Sequence, residues 1–274
     1  MRPVAQQTIL VTGASDGLGK GLAGELARRD ATVLVHGRSE ERVEAAIADI
    51  ARRSGSDRLV PYLADLSSLG AVRHLAEDVA ARRDGLHALV NNAGVAVKER
   101  TVSADGYEYT FAVNYLATYL LTRMLIPALL RSAPARIVNV ASIGQAPVNF
   151  DDVMLEQGYS MDLAYAQSKL AMIAFTLELA ERLRNESGAD VTATALHPAT
   201  LMPTKLVFEA VGRTVDSLEQ GVAATLRLVI EPELDGVSGV YFDGLEEATA
   251  DPQAYDADAR RRLWDLSEDL CGLR

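Results

Sequence analysis

Tyr165 and Lys169 stand four residues apart in the stretch Tyr165-Ala166-Gln167-Ser168-Lys169, so on a helix both side chains project from one face and reach one ligand. A free phenol ionises near pH ~10, too high for proton exchange at neutral pH, and needs lowering by roughly two to three units. An ammonium about 4 Å away supplies on the order of 4 kcal/mol at an effective dielectric near 20, enough for that shift. Ser142 closes an apolar run and can donate a hydrogen bond to a carbonyl oxygen as negative charge develops. Singly, each residue reads as a half-buried tyrosine, a surface lysine or a strand-end hydroxyl. Together they are equipped for proton transfer to and from a carbonyl or alcohol oxygen, with neither a metal nor a histidine.

A second chemistry lies upstream, where Gly13, Ser15, Asp16, Gly17, Leu18 and Gly19 form a glycine-rich turn that opens a helical pattern. Glycines there allow backbone to approach a pyrophosphate, and the N–H groups of a helix start stabilise the anion. The next strand-like run ends in His36-Gly37-Arg38-Ser39 without the carboxylate that would hold free ribose hydroxyls. Arg38, with Ser39 beside it, suits a 2′-phosphate, so NADP(H) is the expected cofactor, against the alternative of a solvated arginine. Asp16 weighs against this by placing an acid near the same phosphate. Asp65 and Leu66 follow the third run and can meet an adenine, while Asn92, Ala93 and Gly94 follow the fourth and leave room for a ribose. Each also reads as a helix cap or turn.

These residues need a scaffold that gathers strand ends. Short β-branched runs at 8–12, 32–36, 58–63, 88–91, 136–140, 191–196 and 239–242 alternate with helical patterns at 18–29, 40–53, 69–83, 107–131, 165–185 and 217–229. The alternation predicts a single α/β domain over residues 1–274: a Rossmann-type, doubly wound parallel sheet of about seven strands with helices on both faces. Ligands of such sheets sit beyond the carboxyl ends of the strands, where the residues above fall. Segments of about 143–162 and 199–216 are expected to frame a substrate, and their Met, Leu and Phe content suits an apolar carbonyl or alcohol.

At this point the sequence resembles the short-chain dehydrogenase/reductase family, through TGASDGLG, NNAG, an Asn in the following helix, Ser142 and YAQSK, in the family's order across nearly the whole chain. The resemblance implies a catalytic set of Asn114, Ser142, Tyr165 and Lys169, with Asn114 holding a water-linked proton path to the lysine; it also reads as a helix-bending polar residue. Finer features are similar to the retinol-dehydrogenase and WW-domain-oxidoreductase branch: DGYEYTFAVNYLATYLLT, the long interval between Ser142 and Tyr165, LHP, SGVYF and LWDLSEDL. Pro198 follows His197 where the family usually has Pro-Gly, and Pro203 replaces a common threonine, which leaves Thr200 and Thr204 as alternatives for the carboxamide contact.

Composition bounds the rest. The 274 residues carry 27 Lys and Arg against 38 Asp and Glu, a net charge of −11 that opposes nucleic acid and anionic membrane surfaces. Cys271 is the single cysteine, so disulfides and thiolate metal clusters are not expected, nor do the four scattered histidines have metal-ligand spacing. The start, MRPVAQQ, runs straight into a strand, so neither a leader nor the membrane anchor of many retinoid enzymes is expected, and a cytoplasmic location follows. Helices 107–131 and 165–185 are apolar on more than one face, which predicts a homodimer or homotetramer. A cofactor-binding regulator without turnover is the rival reading; a sugar-nucleotide epimerase is disfavoured by the lack of a second domain.

Overall fold

The computed structural model describes residues 2–83, 85–186 and 190–274; Met1, the first residue of the amino-terminal reading, lies outside them. The strands are β1 (Thr8–Val11), β2 (Thr32–Gly37), β3 (Leu59–Leu63), β4 (Ala88–Asn91), β5 (Ala135–Val140), β6 (Val191–His197), β7 (Val240–Asp243) and β8 (Glu246–Ala248). They form one sheet in the order β3-β2-β1-β4-β5-β6-β7-β8. All neighbours pair parallel except β7 and β8. The expected seven strands are present, and the count is corrected to eight by β8, a three-residue antiparallel return that carries no apolar alternation of its own.

The main helices are α1 (Gly17–Ala27), α2 (Glu40–Ser54), α3 (Leu69–Arg82), α4 (Tyr109–Arg131), α5 (Met161–Glu186), α6 (Lys205–Ala210), α7 (Leu218–Ile230) and α8 (Ala257–Leu270). Successive residues of the central strands enter opposite cores, as an apolar run buried on both faces requires. Leu10 and Leu34 pack with α3, α4 and α5. Ile9, Val11, Val33 and Val35 pack with α1, α2 and α7. The order in which strands are added to the sheet reverses between β1 and β4, so the turns after these two parallel strands adjoin at the carboxyl edge, where such sheets bind ligands.

Buried amides tie the helices to that edge. Asn91 Nδ2 donates to Asn139 Oδ1 at 2.8 Å and to Thr122 Oγ1 at 3.0 Å, while Asn139 Nδ2 donates to Thr176 Oγ1 at 2.8 Å. The network fixes α4 and α5 against β4 and β5, and these two helices carry Asn114, Tyr165 and Lys169.

Helix α4 is long and apolar enough to cross a membrane, yet most of its apolar stretch is buried inside the fold as a core helix. The surplus apolar face read as a subunit contact is packed by α8, which the strand-and-helix reading did not assign. Tyr115 shares a 2.7 Å hydrogen bond with Ser267, and Trp264 meets Tyr119 edge-on with centroids 5.4 Å apart. The guanidiniums of Arg123 and Arg182 lie 4.5 and 4.1 Å from the Trp264 ring, and Arg123 pairs with Glu268 at 2.9 Å. A homodimer or homotetramer is therefore not required to bury this face: the chain covers it with its own last helix.

Trp264→Ala removes an indole from this sandwich, and unfolding in urea is expected to show a loss of about 3–5 kcal/mol. An unchanged midpoint would mean that α8 is not integral to the core.

Candidate active site

The glycine turn is built by close approach rather than by looseness. Gly13 has φ +64°, and a Cβ there would come within 2.9 Å of the Ala93 Cα. A Cβ on Gly19 would lie 2.5 Å from both Asn92 Nδ2 and the Gly13 carbonyl oxygen. Ser15 packs against Gly37 at the end of β2, so the turn bridges two strand ends. Thr12 and His36, which sequence reasoning passed over for this role, hold the turn in place. Thr12 Oγ1 accepts the N–H groups of Asn92 and Ala93 at 2.9 and 3.1 Å, and His36 Nδ1 accepts the Gly13 N–H at 3.2 Å. Burial brings the His36 imidazole down to about 4, so it is neutral and free to accept.

Donors in the turn are divided between fold and ligand. The amides of Gly13 and Ala14 are used by His36, and Gly17 N–H donates to the Asp16 carboxylate at 2.7 Å. Leu18 and Gly19, in the first turn of α1, have N–H groups without an intrahelical acceptor, and these suit an anion. The Leu18 and Leu66 side chains are buried, so only their backbone can serve a nucleotide. Asn92 supports the turn as well, its Nδ2 donating to the carbonyls of Thr12 and Gly13 at 2.8 and 3.2 Å.

Around the end of β2, Arg38 is 68% exposed, 3.3 Å from the Tyr109 hydroxyl and 3.9 Å from Asp65. The Asp16 carboxylate, which counted against a phosphate, is matched by Arg42 at 3.1 Å, a residue the sequence reading missed. Ser39 caps α2, its Oγ accepting the Arg42 N–H at 3.4 Å, while one Asp65 oxygen accepts from Ser67 N–H and Oγ at 2.9 and 2.8 Å. Ser39 is thus a helix cap and Asp65 closes a turn, while the Arg38 guanidinium stays exposed. A crevice of close-packed glycines, a helix start with open amides and a guanidinium at its mouth fits a dinucleotide.

Across the crevice, Ser142 lies just past β5, and Tyr165 and Lys169 lie on α5. Lys169 Nζ is 5.5 Å from the Tyr165 ring centroid and donates to the Val140 carbonyl at 2.7 Å. Asn114 occupies a π turn at Ala112–Leu116 inside α4. Its amide brackets Val95, accepting from the N–H at 2.8 Å and donating to the carbonyl at 3.0 Å, and also donates to Ser168 Oγ at 3.0 Å. The Cβ position of Gly94 is 3.5 Å from both Asn114 Oδ1 and Lys169 Nζ, so the two side chains flank one glycine. Asn114 thus sits in a perturbed turn of its helix, as the helix-bending reading expects, and close to the lysine.

Pro198 is buried after β6, and Thr200 and Thr204 divide their duties. Thr200 Oγ1 is 3.0 Å from His197 Nε2, and its N–H donates to Asp216 at 2.6 Å. Thr204 caps α6, and its methyl group stands over Gly17. In the flanking segments, Met202 and Val207 are buried, whereas Phe208 is 56% exposed and Ile143 also faces outward. Asp152 is a loop-capping acid, accepting Glu156 and Gln157 N–H groups at 2.8 and 2.9 Å.

The expected lowering of the Tyr165 phenol is not what the protein interior produces. Desolvation raises it above the ordinary tyrosine value, with the Ser142 hydroxyl pulling the other way. Burial brings the Lys169 ammonium from 10.5 to about 8. Because the cation is disfavoured in the folded chain, folding carries about 3 kcal/mol of penalty below pH ~8, relieved as pH rises to the unfolded value. Relative to Lys169→Met, the parent is expected to gain stability from about pH 8 to 10.5, read by urea unfolding at each pH. Parallel curves for the two chains would contradict the burial of a titrating ammonium.

Comparison with known proteins accords with this geometry. Residues 7–211 match the family model described as short chain dehydrogenase. Human retinol dehydrogenase 14 is 36% identical over 294 residues, covering 97% of this chain and 87% of that protein. The crystal structure of an uncharacterized protein from Mycobacterium paratuberculosis superposes with a TM-score of 0.82 at 31% identity, covering 97% of this chain and 94% of that one. A short chain dehydrogenase from Escherichia coli CFT073, complexed with NADPH, gives a TM-score of 0.72 at 25% identity, covering 88% and 97%. With its glycine crevice, strand-end serine and Tyr-Lys helix in that fold, the chain belongs to the short-chain dehydrogenase/reductase family of nicotinamide-dependent oxidoreductases, in its retinol-dehydrogenase-like branch.

Proposed function

We propose that the chain interconverts a carbonyl and an alcohol on an apolar small molecule, with NADP(H) as cofactor and Tyr165 as general acid/base. The observation that carries this reading is the meeting of Ser142, Tyr165 and Lys169 at the carboxyl edge of the sheet, across from the glycine crevice. When bound, the nicotinamide supplies or accepts the hydride. Gly13, Ser15, Asp16, Gly17, Leu18 and Gly19 form the bed for the pyrophosphate, while Asp65, Leu66, Ala93 and Gly94 line the nucleoside side. Pro198 and Thr200 lie at the nicotinamide end.

Ser142 donates to the substrate oxygen, and Tyr165 exchanges its proton with that oxygen. The upward shift of the phenol leaves it protonated at neutral pH, the form that carbonyl reduction consumes. Lys169 stabilises the phenolate that remains, and Asn114 holds Val95 and Ser168 beside it. The 143–162 and 199–216 segments wall the substrate, with Phe208 and Ile143 giving the entrance an apolar character. A single cysteine suits a reducing, cytoplasmic setting.

Tyr165→Phe is expected to cut NADPH-dependent carbonyl reduction by about 10²–10⁴-fold while leaving NADPH binding, followed by its fluorescence, within twofold. Retained turnover would exclude Tyr165 as the proton donor, and tight NADPH binding without turnover of any carbonyl or alcohol by the parent chain would point to the regulator reading. For the cofactor, Arg38 supports a Kd for NADPH at least about tenfold below that for NADH, with Arg38→Glu abolishing the difference. Equal affinities in the parent chain would remove the 2′-phosphate assignment.

A further inference from the structure

Ser142 lies one residue beyond the last sheet bond of its strand, the Ala141 N–H donating to the Leu196 carbonyl at 2.8 Å. Its own carbonyl is therefore released from the ladder at the place where the hydroxyl must be most precisely aimed. Two side chains take over. The Tyr241 hydroxyl, reaching from β7, donates to the Ser142 carbonyl at 3.0 Å, and Gln145 Nε2 donates to the same oxygen at 3.0 Å. Gln145 is itself held, because its Oε1 accepts the Asp251 N–H at 2.7 Å. Gln253 then grips the same loop twice: its Oε1 accepts the Val148 N–H at 2.6 Å and its Nε2 donates to the Val148 carbonyl at 3.2 Å.

We propose that Gln145 and Tyr241 are positioning residues for Ser142, and that the carboxyl-terminal stretch 241–253 is the frame against which the serine is aimed. The proposal rests on the reading of Ser142 as hydrogen-bond donor to the substrate oxygen. Its physical content lies in two torsions. Fixing the 142 carbonyl fixes the peptide plane after Ser142, hence its ψ. The Gly144 N–H, donating to Ser142 Oγ at 3.0 Å, then fixes the side-chain torsion and occupies an oxygen lone pair. The hydroxyl hydrogen is left for the active site, where the Tyr165 phenol and the substrate oxygen meet it. Tyr241 is buried and its phenol is pushed above the ordinary tyrosine value, so it stays a donor across the neutral range. A misplacement of order 1 Å at such a donor costs up to about a hundredfold in rate.

The test is a double-mutant cycle against Ser142→Ala. Tyr241→Phe removes one donor and keeps the ring; Gln145→Glu keeps an acceptor for the Asp251 N–H and, ionised, has no donor for the Ser142 carbonyl. Each is expected to lower kcat for carbonyl reduction by about ten- to a hundredfold, with KM and the Kd for NADPH within about twofold. In the Ser142→Ala background, assayed at high enzyme concentration, each is expected to change kcat by less than about twofold. In the cofactor-free protein, amide exchange at Gly144 is expected to accelerate. Should the Gln145 variant fail to fold, Tyr241→Phe carries the test alone. Undiminished kcat, or an equal loss in both backgrounds, would overturn the positioning role. Full activity of Ser142→Ala by itself would remove the underlying functional reading as well.

Discussion

Burying an ammonium is the demand around which the catalytic end is arranged. Lys169 is 3% exposed, and its Nζ donates to the Val140 carbonyl. An interior cation is tolerated only where polar groups converge on it. Convergence here is local and dense: β5 ends so that the Val140 carbonyl meets the ammonium, Gly94 leaves space beside it, and the π turn in α4 brings Asn114 up to the same glycine. The downward pull on the ammonium and the upward pull on the phenol have one origin, since removing water disfavours the charged form of each. Free of ligand, the pair rests in the state that carries a proton on the phenol.

The nucleotide end obeys a different constraint, the contact distance between two turns. Gly13 and Gly19 bring the β1 turn against Asn92 and Ala93 of the β4 turn, and Thr12 and Asn92 stitch the two together through backbone groups. Polar side chains that sequence reading offers to the ligand are partly spent on this stitching. What remains for an anion is backbone at the start of α1 and the guanidinium of Arg38, with Arg42 neutralising Asp16. The cradle is therefore held by main-chain bonds at the start of α1 and open to solvent at Arg38.

Much of the fold is legible in the amino-acid sequence. The seven principal strands fall within a residue or two of their expected places, because strands buried on both faces announce themselves as continuous apolar runs. Ser142, Tyr165 and Lys169 were legible from residue type and order. Other features depend on groups distant in sequence. β8 exists through its pairing with β7, and α8 is so charged, with Arg260, Arg261, Arg262, Asp265, Glu268 and Asp269, that its buried edge shows only once Tyr119 and Phe175 lie against Trp264. Thr12, His36, Gln145 and Tyr241 act on backbone groups of residues they do not adjoin in the fold's linear order, or adjoin only by a loop, and residue type alone does not announce such partners. The upward shift of the Tyr165 phenol is not legible in the sequence for a related reason: charges can be counted along a chain, but the water excluded by folding cannot.

The sandwich of α8 has an optical corollary. Trp264 is the sole tryptophan, and its indole is packed between two guanidiniums and the rings of Tyr119 and Phe175. Intrinsic indole emission from this protein therefore comes from a single chromophore whose surroundings are set by the docking of the terminal helix. Detachment of that helix would expose the indole to water and redshift its spectrum, giving a label-free reporter of the carboxyl end that needs no added dye.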